Sequence, residues 1–155
     1  MERKTKIDAE DGRFDLTITR EFDLPVMLVF RAHAEPELIE QWMGTNVLEF
    51  EAKTHGGWKY ETRDSEGNVV FTAHGIFHEF VDGEKIVRTF QMTNAPFGVQ
   101  LEEIKFEALT SDTSRLTIHS VYQSQELRDQ MLKLPFAFGI NMAHDRLQEI
   151  IHNLK

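Results

Sequence analysis

Between Gly44 and Tyr122 short polar turns cut the sequence into six apolar-rich segments, and behind them runs a single apolar stripe at helical spacing. The segments read as strands over 47–52, 58–63, 69–80, 85–92, 99–109 and 114–122. The breaks fall at Gly56-Gly57, 64–68, Asp82-Gly83-Glu84, 93–98 and 110–113. Turns this short join strands only antiparallel, because a parallel return needs a crossover of a dozen or more residues. The sheet has one apolar face to bury, and the long C-terminal helix is the element that can cover it. The chain reads as an α+β domain in which a curved antiparallel sheet wraps around that helix.

Upstream, residues 13–22 alternate apolar and polar, with Phe14, Leu16 and Ile18 on one face of a half-buried strand. Pro25 suits the first turn of a short helix through about His33, and Pro36 opens a second over 37–43 that Gly44 closes. The pair packs through Val29, Phe30, Leu38 and Trp42. Residues 1–11 are polar and are expected to be flexible or to extend a strand. At the other end Ser124 is a good N-cap for Leu127, Met131 and Leu134. Pro135 lacks the donor that a continuous helix needs, so a kink or a new helix is expected there. Beyond it Phe136, Ile140, Ala143, Leu147, Ile150, Ile151 and Leu154 form the core-facing stripe, with Phe138 and Met142 pointing the other way.

At 155 residues the chain suits one domain spanning 1–155, without repeat or linker. It has no Cys, which excludes disulfides, thiolate metal sites and Cys nucleophiles. A net charge of -9 argues against binding nucleic acid, which depends on a basic surface. No apolar run approaches the ~20 residues of a membrane helix, and the charged N-terminus resembles no signal peptide. A cytoplasmic protein with no membrane association is the expectation.

Several residues are candidates for chemistry. Period two places Trp58, Tyr60 and Thr62 on one strand face, where Trp58 and Tyr60 either line a pocket or fill core. The phase set by Ile104 and Phe106 turns Gln100 and Glu102 inward. A carboxylate there is a polar anchor, an acid or base, or the partner of a strand neighbour such as Arg88; the last reading is preferred. His74 and His78 share a strand face and His119 lies in a later strand, but no carboxylate completes an obvious site, so no metal is expected. Nucleophile elbow, Walker loop and dinucleotide-binding glycines are all missing. The loop 94–98 either presents Phe97 as a pocket-edge flap or tucks it onto the core.

The order of elements combines with local motifs: Thr19-Arg20-Glu21-Phe22-Asp23-Leu24-Pro25, Val29-Phe30-Arg31-Ala32, Pro36-Glu37-Leu38 with Gln41-Trp42, and Gly56-Gly57-Trp58. Further on stand Arg63-Asp64-Ser65-Glu66-Gly67-Asn68, His74-Gly75, Glu84-Lys85-Ile86-Val87, Leu101-Glu102 with Phe106-Glu107, 113–118 and Asp145-Arg146-Leu147. Together, across about 14–154, they resemble the activator of Hsp90 ATPase-like family of the START/Bet v 1-like (SRPBCC) superfamily. The resemblance implies a helix-grip fold with a pocket between sheet and helix, and no shared catalytic machinery. Eukaryotic activators carry an additional N-terminal domain with no counterpart in these 155 residues, so chaperone activation is not expected. Three positions depart from the family pattern: Met43 follows a single Trp42, His33 replaces a common Trp, and Phe138 replaces a usual charge. Ligand identity therefore does not transfer.

The reading that results is a module binding a small, mostly apolar ligand, with Trp42, Trp58, Tyr60, Phe90, Glu102 and Phe136 as walls, no catalytic residue and no cofactor. The alternatives are an enzyme of the polyketide cyclase/aromatase type, using Glu102, Tyr60 or a His, and a stress-related, co-chaperone-like interaction protein. A homodimer is left open.

Overall fold

The stretches of period-two alternation become strands, and the stretches after Pro25, Pro36 and Pro135 become helices. The computed structural model describes residues 4–93 and 95–155, so residues 1–3 of the N-terminal segment and Asn94 of the flap segment lie outside it. In chain order the strands are β1 (Lys6–Asp8), β2 (Asp15–Phe22), β3 (Asn46–Phe50), β4 (Gly57–Arg63), β5 (Val69–Val81), β6 (Lys85–Met92), β7 (Gln100–Ala108) and β8 (Ser114–Val121). Helices α1 (Val26–Ala34) and α2 (Pro36–Met43) follow β2, and α3 (Gln125–Leu132) and α4 (Phe136–His152) end the chain.

All strands join one antiparallel sheet of order β1-β2-β8-β7-β6-β5-β4-β3. The meander β3 to β8 closes against β2, from Asp15 opposite Val121 to Phe22 opposite Ser114. Lys6–Asp8 adds an edge strand beyond β2, with Ile7 opposite Ile18. Irregular register at Val47/Glu49, Thr62/Arg63 and Phe77/Glu79 marks bulges, which bend strands and increase their twist. The sheet curls so that its inner face, carrying Leu16, Ile18, Phe77, Ile86, Ile104, Leu116 and Ile118, is buried.

Local chemistry sets the helix ends. Pro25 precedes α1 and Pro36 occupies the first turn of α2, where a missing N–H costs nothing. Gly44 ends α2 in the left-handed conformation (φ 65°), which glycine adopts without Cβ strain. Ser124 caps α3 by accepting from the Leu127 amide at 3.2 Å. Pro135 separates α3 from α4. Among the described residues no helix is long and apolar enough to cross a membrane.

Two expectations change. Phe14 is 53% exposed, because β2 begins after it; the buried ladder of β2 is Leu16, Ile18, Arg20 and Phe22. The stripe on α4 is also less uniform than its spacing implied. Leu147 and Ile151 are fully buried, whereas Phe136, Ile140, Ala143 and Ile150 pack on the core but stay half-buried, and Leu154 lies past the helix end and is exposed. The ties that hold α4 down start at Asn141. Arg20 reaches Asn141 and Asp145, the Asp23 amide donates to Gln148, and Arg146 donates to the Trp42 carbonyl. Among the described residues no side-chain hydrogen bond holds the first turn of α4, whose Phe136 packs on the core. Phe138 and Met142 are exposed on the outer side, as their place on the helical wheel requires.

Candidate ligand site

Inward phase on β4, β6, β7 and β8, with β5 lying between β4 and β6, builds the candidate site. Trp58 and Tyr60 of β4 and Gln100 of β7 are buried, as are Ser120 of β8 and Tyr122 just after it. Arg88 and Phe90 of β6 and Glu102 of β7 are half-buried on the same face. The pairing places Arg88 opposite Glu102, Glu102 opposite Ser120, and Phe90 opposite Gln100. Polar and aromatic side chains thus share one patch of the inner face.

Arg88 is the hub of this patch. Its Nε donates to Glu102 Oε1 at 2.8 Å and its Nη1 to the Tyr60 hydroxyl at 3.4 Å. The guanidinium lies 4.3 Å from the Trp58 ring centroid and 5.7 Å from that of Phe90, within cation–π range. Trp58 in turn packs on Tyr60 and Phe90 with centroids 4.7 and 5.6 Å apart. Burial pushes the Tyr60 phenol up, so it stays protonated at neutral pH. Burial also raises Tyr122, with the Glu102 charge acting in the same direction.

The close packing of this floor depends on Gly75 of β5, opposite Trp58. A Cβ there would sit 1.9 Å from the Thr89 carbonyl oxygen and 2.7 Å from Trp58 Nε1. Trp58 Nε1 is sealed against the floor without a hydrogen-bond partner. Other polar groups are unpartnered but not sealed. Among the described residues Arg88 Nη2, the Gln100 amide and the Ser120 hydroxyl make no side-chain hydrogen bond, and each keeps accessible surface. Arg88 is desolvated by its surroundings even so.

A second polar cluster lies where α1, α2, α4 and β2 meet. Buried Arg20 donates to Asp145 at 2.9 Å, to Asn141 at 3.3 Å and to the Thr5 hydroxyl at 3.4 Å. Buried His144 meets Thr5 Oγ1 at 2.7 Å, and its ring contacts Phe22 and Trp42. Desolvation, with His33 and Arg20 nearby, lowers its pKa to about 3. His33 packs against Trp42 and Phe106 at 5.2 and 5.3 Å and is held at about 4, chiefly by burial.

The proposed wall residues fall into groups. Trp58, Tyr60, Phe90 and Glu102 come together. Trp42 stands apart in the helical junction, its indole donating to the Ala32 carbonyl at 2.7 Å. Phe136 packs half-buried on the core from α4. Phe97 is buried, so its loop lies on the core. The three strand histidines do not meet. His74 contacts Thr93, His78 stands beside His55, and His119 pairs with Asp15. Two strands separate β5 from β8, so His119 is roughly 14 Å from the others. Among the described residues no cluster of His, Asp and Glu could hold a metal ion.

Sequence reasoning missed Arg88 as the hub, together with Arg20, His33 and His144. Arg20 follows Leu16 and Ile18 in the same period-two phase, and His144 lies on the stripe four residues after Ile140, so periodicity was the available signal. Two surface hollows lie elsewhere. One, of about 170 Å³, is bounded by Asp8, Arg13 and Asp15, with Asp15 already held by Arg13 and His119; the other, of about 270 Å³, is bounded by Asp23, Gln148 and His152.

Comparison with known proteins agrees with this architecture. A solution structure from Arthrobacter aurescens superposes with a TM-score of 0.85 at 19% identity, covering 96% of this chain and 91% of that one. A crystal structure from Mycobacterium smegmatis gives 0.84 at 18%, covering 95% and 96%. Another from Nitrosomonas europaea gives 0.79 at 24%, covering 96% and 100%. At these identities the likeness concerns the fold, which is helix-grip. No curated protein matches the sequence. The model of one family, described as activator of Hsp90 ATPase homolog 1-like protein, matches residues 23–152, and the chain belongs to that family.

Proposed function

We propose that the protein is a binding module that holds a small, mostly apolar molecule between the sheet and α4, without covalent chemistry. Trp58, Tyr60, Phe90 and Phe136 would grip the apolar body, and Arg88 would meet one polar acceptor on it. The observation that carries this reading is the state of Arg88. Glu102 and Tyr60 fix its orientation and Trp58 supports it, the side chain is only 14% exposed, and among the described residues its Nη2 makes no hydrogen bond. An unused charged donor in such a place favours a bound acceptor.

The same geometry weighs against acid–base catalysis. Glu102 Oε1 is committed to Arg88, and burial pushes the Tyr60 phenol up and away from neutral pH, so the phenol is not poised to exchange a proton. Entry would pass the first turn of α4, which among the described residues no side-chain hydrogen bond ties to the sheet.

The test is a titration with the neutral fluorophore 1-anilinonaphthalene. Saturable one-to-one binding is expected, weakened about tenfold by Phe90→Ala and by Phe136→Ala. Non-saturable binding, or binding indifferent to both substitutions, refutes the reading.

A further inference from the structure

Across β6, β7 and β8 the register lines up Arg88, Glu102 and Ser120 as successive partners on the inner face. Beyond the next pair, Leu101 and Val121, come Gln100 and Tyr122. Gln100, Glu102, Ser120 and Tyr122 therefore form a block two strands wide, about 5 Å across and about 7 Å along the strands. Gln100, Ser120 and Tyr122 are only 3%, 2% and 3% exposed. Among the described residues their side-chain polar atoms nevertheless have no hydrogen-bond partner. Those atoms are not sealed, in contrast to Trp58 Nε1, so a partner can reach them. Glu102 engages Arg88 through Oε1 and leaves Oε2 without a partner among the described residues. A buried polar group left unpaired destabilises the fold, and several in one register patch point to a bound molecule that pairs them.

Charge decides what kind of molecule. Arg88 and Glu102 already neutralise each other at 2.8 Å, with both side chains 14% exposed. Buried Arg128, whose charge reaches Tyr122, is held by Asp129 and by the Glu10 and Asp15 carbonyls. A carboxylate brought to the block would thus find no cation in need of a partner, and burying an uncompensated charge costs far more than burying a neutral group. The block itself donates through the Ser120 and Tyr122 hydroxyls and the Gln100 amide, and accepts through Glu102 Oε2 and the Gln100 carbonyl.

We propose that Gln100, Glu102, Ser120 and Tyr122 form a recognition site for an uncharged head group that both donates and accepts hydrogen bonds, a primary amide or a hydroxyl, and that the site turns carboxylates away. The inference rests on the binding-module reading and deepens it: Arg88 Nη2 meets the acceptor of the head, and the block on β7 and β8 reads its donor.

The experiment titrates 2-naphthamide, 2-acetonaphthone and 2-naphthoate at neutral pH. They share one skeleton and carry a donor–acceptor, an acceptor-only and an anionic head. Native protein is expected to bind the amide about fivefold more tightly than the ketone, the effect of one neutral hydrogen bond, and about tenfold or more tightly than the carboxylate. Ser120→Ala and Gln100→Met should each bring the amide-to-ketone ratio toward one. Glu102→Gln should reduce the discrimination against naphthoate several-fold, because Arg88 then lacks its counter-charge. Each comparison is a ratio within one folded protein, so a loss of stability does not mimic it. The side-chain amide resonances of Gln100, identified by their disappearance in Gln100→Met, should move when native protein is saturated with 2-naphthamide. Equal affinities for amide and ketone, a carboxylate bound as tightly as the amide, ratios unmoved by the substitutions, or still Gln100 resonances would overturn the role of the block while leaving a binding module in place. Failure of all the probes to bind saturably would overturn the binding reading and this inference with it.

Discussion

Replacing Glu102 by Gln keeps the side-chain volume and removes the charge that Arg88 faces at 2.8 Å. Both side chains are 14% exposed, so the pair is mostly withdrawn from water. Breaking a fully buried pair costs ~3–5 kcal/mol because one charge is left behind. Three features reduce that figure here. The glutamine carbonyl still accepts from Nε, as a neutral acceptor in place of a charged one. The Tyr60 hydroxyl and the Trp58 ring continue to stabilise the guanidinium, the latter by ~0.5–2 kcal/mol. Residual accessibility also admits water. A loss of about 2 kcal/mol follows, equivalent to ~4–8 °C in Tm for a chain of this size. Urea unfolding followed by Trp fluorescence suits the measurement, since Trp58 stacks on the pair. Arg88→Met alone should cost a similar amount, and the double variant less than the sum, with a coupling of ~1–2 kcal/mol. Glu102→Gln within about 0.5 kcal/mol of native, or more stable, would mean that the carboxylate is desolvated and unpaired. Arg88 would then lose its place as the hub of the site.

Leu147→Ala should destabilise by ~2–5 kcal/mol in the same assay, since Leu147 is fully buried on α4; a loss below about 0.5 kcal/mol would mean that the stripe is not core. Gly75→Ala should cost ~2 kcal/mol or more, because the added methyl meets the Thr89 backbone and the Trp58 indole; a native-like midpoint would contradict the packing of the floor. Acid should weaken the fold through the buried imidazoles. His144 titrates at about 3 when folded and ~6.5 when unfolded, so its contribution is complete above ~6.5 and falls as the pH drops toward 3. The slope is ~1 kcal/mol per pH unit, and His33, lowered to about 4, acts in the same direction. Urea midpoints between pH 7 and pH 5 should therefore fall, and fall less in His144→Phe; identical slopes for the two proteins would rule this out.

Local patterns were enough to read the elements from the sequence. Alternation in β2, β4 and β7, Pro at the starts of α1 and α2, Gly44 at the end of α2 and Ser124 at the start of α3 each depend on neighbours within a few residues. The same short-range logic turned Glu102 inward, and its pairing with Arg88 follows from a hairpin register only fourteen residues long. Tertiary structure decided what no local period can encode. Burial of Arg20 requires Asn141 and Asp145, more than a hundred residues away. The ring of His33 is fixed by the Val29 carbonyl within α1, but its burial comes from packing against Trp42 of α2 and Phe106 of β7. The half-burial of Phe136 and Ile140 depends on where the long-range ties of α4 begin. Sequence spacing reports which face of an element a residue occupies, but a polar side chain on an inner face is stable only if distant groups satisfy it, and those meet it only in the folded chain.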